Sequence, residues 1–169
     1  MSQLKVNSIV PVGGLPSGAN GGIIQVVQTY STTLISTTSQ SFVDSGISAT
    51  ITPSSASNKI LIQCMFSVGA TENQNVYFKL YNGSSEITAA TNSNVSDEAA
   101  FNAGVSHPSG AQYDIAQIAH NFLYSPNTTS ATTIKVYWRA SAQTAYINRY
   151  GYGTFTGGSS SLTLMEVSA

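Results

Sequence analysis

Apolar and polar residues alternate with a period of two along most of this chain, the spacing that sends successive side chains to opposite sides of an extended backbone. In KILIQCMFSV, Ile60, Ile62, Cys64, Phe66 and Val68 share one side, while Leu61, Gln63, Met65 and Ser67 share the other. In VYFKL, Val76, Phe78 and Leu80 alternate with Tyr77 and Lys79, and the Asn82-Gly83 pair that follows predicts a hairpin. TTIKVYWRA places Ile134, Val136, Trp138 and Ala140 opposite Lys135, Tyr137 and Arg139, after two β-branched threonines. Shorter strands are predicted over Ile23–Tyr30, Gly46–Thr52, Tyr113–Leu123, Ala145–Asn148 and Leu162–Val167, with Pro53, Pro108 and Pro126 in connections. No stretch sustains a 3.6-residue period with caps. The chain therefore reads as all-β, an antiparallel sandwich of jelly-roll type.

Several of these strands are apolar on both sides. Leu61 and Met65 oppose the Ile60-to-Val68 side, and Leu162 and Leu164 oppose Met165 and Val167, although a lone sandwich needs one apolar face per sheet. The surplus predicts a subunit interface through Leu61 and Met65.

The beginning of the chain differs. VGGLPSGANGG reads as a flexible or extended linker, so residues 1–22 form an arm and linker and residues 23–169 a head. Leu4, Val6, Ile9, Val10 and Pro11 cannot join the sandwich across that linker and are candidate docking residues of the arm. From Val6 to Val43 there is no charged residue.

Composition narrows the function classes. Only 8% of residues are charged, and 26 Ser and 18 Thr supply polarity in their place. A net charge of -1, with six basic residues scattered from Lys5 to Arg149, offers no patch for a run of phosphates, so no nucleic-acid partner is expected. The apolar runs fall short of a membrane helix, which needs roughly 20 residues, and the start lacks a secretory pattern. Synthesis in the cytoplasm without membrane insertion is the expectation. The single cysteine, Cys64, permits no internal disulfide and reads as a core residue.

Catalytic constellations are hard to assemble. His107 and His120 have no carboxylate or cysteine at metal-ligand spacing. His107 precedes a proline, and His120 shares a strand side with Ala116, Ile118 and Phe122. Asp97 and Glu98 adjoin but would point apart on a strand, which does not suit a paired acid and base. No nucleophile elbow or phosphate loop is present, and the sequons at Asn82, Asn94 and Asn127 mean little without a secretory signal. Neither catalytic residues, metal nor cofactor are expected. One cluster stands out: YINRYGYGTF gathers Tyr146, Asn148, Arg149, Tyr150 and Tyr152, residue types suited to a partner surface or to stacking on sugars. Packing of two of these tyrosines beneath the sandwich is the competing reading.

Three segments together resemble a family of tailed-phage virion proteins of the cyanophage type, variously tail-fibre-like or capsid decoration proteins. They are LKVNSIVPVGG, the entry GGIIQVVQTYSTT with TSQSFVDSGISATITPSSASNKILI, and the close YINRYGYGT with GGSSSLTLMEV. The resemblance implies a non-enzymatic homotrimeric β-sandwich head on the virion surface. It also implies an N-terminal arm attached to another virion protein through Leu4, Val6, Ile9, Val10 and Pro11. A chain with an arm and a head but no shaft-forming repeat fits capsid decoration; the alternative is a tail-fibre or short-fibre module binding a host-surface receptor or glycan.

Overall fold

The computed structural model describes residues 22–71, 73–92, 94, 102–107, 110, 113–154 and 156–169, with the backbone alone for 102–107. The arm residues Leu4, Val6, Ile9, Val10 and Pro11 lie outside the described residues, as do Asp97 and Glu98.

In chain order the strands are β1 (Ile23–Ser31), β2 (Ile35–Thr37), β3 (Val43–Ile51), β4 (Lys59–Ala70), β5 (Gln74–Asn82), β6 (Ser85–Glu86), β7 (Asn102–His107), β8 (Ala116–Tyr124), β9 (Thr132–Ala140), β10 (Ala145–Ile147) and β11 (Ser160–Val167). They form two antiparallel sheets. In the first, β11 pairs with Lys59 to Met65 of β4, and β10 continues the same lane along Val68 to Ala70. The short β2 extends β1 in the same way, so the lanes run β1/β2, β11/β10, β4, β8. The second sheet runs β3, β9, β5, and then β6 and β7 share the far side of β5. Consecutive lanes pass repeatedly from one sheet to the other, which buries one side of each strand between them.

That buried side is the one the alternation marks. Ile60, Ile62, Cys64, Phe66 and Val68 of β4 face Val76, Phe78 and Leu80 of β5 and Ile134, Val136, Trp138 and Ala140 of β9, all within the core. Phe66 stacks on Phe78 across the gap at 5.3 Å between ring centroids, and Phe78 in turn lies 6.2 Å from Trp138. Burial pushes the Cys64 thiol up to about 12, leaving it protonated and inert.

Three local features depart from the sequence expectation. β3 starts at Val43 rather than Gly46, because a bulge interrupts its pairing with β9 between Asp44 and Ser48. The Gly46 N–H donates to Asp44 Oδ1 at 2.8 Å and Ser45 Oγ donates to the Val136 carbonyl at 2.7 Å, a local turn that disguises the alternation. The hairpin after β5 is present, but its two loop residues are Gly83 and Ser84, since Asn82 still pairs with Ser85. β7 adds a strand whose sequence, NAGVSH, carries too few large apolar residues to announce one.

The open flank between β1 and β3 is closed by side chains. Thr29 Oγ1 donates to the Ser48 carbonyl at 2.6 Å, and Gln25 Nε2 donates to the Thr52 carbonyl at 2.7 Å. At the same end the fully buried Glu166 gathers four donors. These are Asn58 Nδ2 at 2.6 Å, Gln25 Nε2 at 2.6 Å, and the Ser54 N–H and Oγ at 2.7 and 2.8 Å. Burial alone would raise this carboxyl, but the donated bonds outweigh it and hold the group down at about 2.

A carboxyl depressed on folding stabilises above its ordinary range and loses that contribution as pH falls from about 4.5 towards 2. Denaturation at pH 7 and pH 3 should therefore show a stability loss on the order of 2 kcal/mol in the native chain. The loss should be clearly smaller in Glu166→Gln. An equal loss in both proteins would remove Glu166 from this role.

Candidate functional site

The outward side of the first sheet is organised in rows that cross four strands. Val26, Met165, Leu61 and Leu123 are register partners in one row. Gln28, Thr163, Gln63 and Asn121 form the next, and Tyr30, Ser161, Met65 and Ala119 the one beyond. Large apolar groups here are open to solvent: Val26 is 55% exposed, Tyr30 64%, Met65 53% and Leu123 46%. The middle row is polar but uncharged, with Gln28 Nε2 donating to Thr163 Oγ1 at 2.8 Å, and it floors a shallow depression. No position in the three rows carries a formal charge; Lys59 lies at the margin, paired with Val167. Leu61 and Met65, the predicted interface residues, thus sit centrally on one continuous face, but in separate rows.

The outward side of the second sheet is the chemical opposite. Register pairs set Tyr77 against Arg139, Lys79 against Tyr137, and Tyr81 against Lys135. Tyr81 and Tyr137 stack at 3.9 Å, and the Arg139 guanidinium lies 4.4 Å from the Tyr77 ring centroid. Lys79 and Lys135 are neutralised by Glu86 at 2.9 Å and Asp44 at 2.8 Å. Charge that is scarce elsewhere is concentrated and paired on this side.

The tyrosine-rich segment does not assemble as one site. After β10 the chain crosses the outward side of β4 so closely that a Cβ on Gly69 would collide with the Arg149 carbonyl and lie 2.6 Å from Tyr150 Cα. Arg149 rests on the Tyr146 ring at 3.9 Å and donates through Nε to the Tyr150 carbonyl. Tyr150 is buried, and Tyr152 is exposed beside Tyr113, with ring centroids 4.9 Å apart. Tyr113 lies far along the chain from Tyr152, so no local pattern in the sequence joins the two.

Asn148 requires correction as a ligand or partner contact. It is fully buried with φ 67°, its Nδ2 donates to the Ser31 and Thr33 carbonyls at 3.0 and 2.9 Å, and its Oδ1 accepts from Ser160 Oγ at 2.6 Å. Its backbone N–H donates to Ser67 O, and its carbonyl accepts from Gly158. Both ends of its amide hold the fold at the break between β1 and β2. Tyr150, being buried, is likewise closed to an external ligand.

His120 lies on the inward side of β8, opposite Cys64 in register, and burial lowers its pKa towards the neutral form. Among the described residues no three His, Cys, Asp or Glu side chains gather as they would around a metal ion. Among them, too, no helix is long and apolar enough to cross a membrane.

No family model and no curated protein matches this chain. Among solved structures it is similar to a chain of the infectious bursal disease virus Gx strain, at 11% identity and a TM-score of 0.45. It is also similar to a chain of the VP2 subviral particle of infectious bursal disease virus, at 13% identity and the same TM-score. These alignments cover 94% and 95% of this chain but 43% and 42% of the viral chains, so the chain spans under half their length.

Asn148→Ala removes three side-chain hydrogen bonds, one buried and two part-buried, and leaves a left-handed backbone without the residue type that tolerates it. A destabilisation of about 3 kcal/mol is expected in urea unfolding, whereas Tyr152→Ala should change stability by less than about 0.5 kcal/mol. A near-neutral Asn148→Ala would return that residue to the candidate contact surface.

Proposed function

We propose that this chain is a non-enzymatic structural protein of a tailed-phage virion surface, assembled as a homotrimer and decorating the capsid. The observation that carries the reading is the uncharged, two-banded apolar face built around Leu61 and Met65. Large apolar groups exposed in two neighbouring rows of one β-sandwich face call for a partner, and a face without charge desolvates more cheaply than a charged one. The strand order β1-β11-β4-β8 opposite β3-β9-β5-β7 agrees with the jelly-roll reading, and the resemblance of three sequence segments to phage virion proteins supplies the setting.

A second reading, a fibre module that binds a host-surface glycan or protein, draws on the exposed Tyr113–Tyr152 pair. The two readings differ in copy number and place. Antibody labelling of intact particles should mark the capsid uniformly if the protein decorates it; signal confined to the tail would favour the fibre reading.

Sedimentation of the purified chain at micromolar concentration should give a trimer. Leu61→Asp and Met65→Asp should give monomers or insoluble protein, since each places a carboxylate in the apolar rows. A native chain that sediments as a monomer would contradict the assembly outright.

A further inference from the structure

The three-row face cannot be closed in a trimer by meeting itself. A three-fold interface is heterologous, joining two different patches, so each copy must offer its neighbour a second, complementary surface. Among the described residues the other broad face is a poor complement, because Lys79, Lys135, Arg139, Asp44 and Glu86 would have to shed water against Val26, Leu61, Met65 and Leu123. Residues 6–21 do complement it. They carry no charge, include Val6, Ile9, Val10 and Val12, and end one residue short of β1, whose Ile24 and Val26 already belong to the outward side.

We propose that residues 6–12 of one copy pack across the outward face of the first sheet of a second copy. Their apolar side chains would lie in the Val26–Leu123 and Tyr30–Met65 rows, and their backbone polar groups would meet the Gln28, Thr163, Gln63 and Asn121 side chains between. Backbone N–H and C=O groups need such partners when covered, and the amide and hydroxyl row supplies both donors and acceptors. Reach is ample: the ten residues 13–22 between the docked segment and β1 span up to about 35 Å when extended, while four strand lanes are only about 14 Å across. The inference rests on the trimer reading and makes the neighbouring copy, rather than a different virion protein, the receiver of the arm.

The test places the photo-reactive residue benzoylphenylalanine at Ile9 of the full chain and refolds it together with isotope-labelled native chain. Irradiation followed by peptide mapping should join position 9 to labelled peptides containing Met65, Leu123 or Met165. Links confined to the same chain, links to the second sheet, or none at all in a protein that still sediments as a trimer would overturn the arm site and leave the trimer standing. A monomeric native protein would overturn both. As an independent check that needs no probe, Val6→Asp with Ile9→Asp should raise the concentration at which the trimer dissociates by at least about tenfold, which for three subunits is about a hundredfold in the dissociation constant or about 2.7 kcal/mol per trimer. An unchanged dissociation midpoint would also reject the arm site.

Discussion

The stack of Phe66 on Phe78 is the contact through which one sheet becomes committed to the other. Its two rings belong to the central lanes β4 and β5, and it fixes which side of each strand is inside. Because side chains alternate, a one-residue slip of either strand would exchange buried and exposed sets throughout. With Phe66 inside, Leu61, Gln63 and Met65 are forced outside. The apolar outer rows therefore follow from the core and are not a separate accident of the surface.

Charge sets the second level of organisation. With few ionic groups available, the chain places three of its basic side chains on the second sheet, where Glu86, Asp44 and aromatic rings accompany them. Elsewhere hydroxyls and amides do the joining. Thr29 and Ser45 each reach a backbone carbonyl on another strand, Gln25 reaches that of Thr52 just past the end of β3, and neutral donors alone satisfy Glu166. Serine and threonine in such numbers thus act as cross-links of the sandwich as well as solvated surface. The two outer faces consequently differ in kind, one charged and aromatic, the other uncharged and banded.

Period-two alternation made β4, β5 and β9 legible in the sequence, along with their inward sides and the doubly apolar character of β4. The ends of β3 were obscured by the turn at Asp44 to Gly46, and β2 and β7 by shortness and small residues. The tyrosine-rich segment illustrates a deeper limit. Local composition brought Asn148, Arg149, Tyr150 and Tyr152 together, yet the close passage over Gly69 turns Asn148 and Tyr150 inward and sets Tyr152 beside the distant Tyr113. Likewise, Glu166 meets Gln25, Ser54 and Asn58 across more than a hundred residues of chain. Contacts of that separation depend on the register of several strands at once, which no local pattern encodes.

The central claim is that the uncharged outer face of the first sheet is covered when the protein is assembled. Peroxide oxidation of Met65 and Met165 across a dilution series tests it most directly, because thioether oxidation follows exposure. The account predicts that both methionines oxidise several-fold more slowly than free methionine at micromolar concentration, and that Met65 speeds up sharply as the protein is diluted. A Met65 that reacts at one rapid rate across the whole series, as its 53% exposure in the single chain would allow, would contradict it.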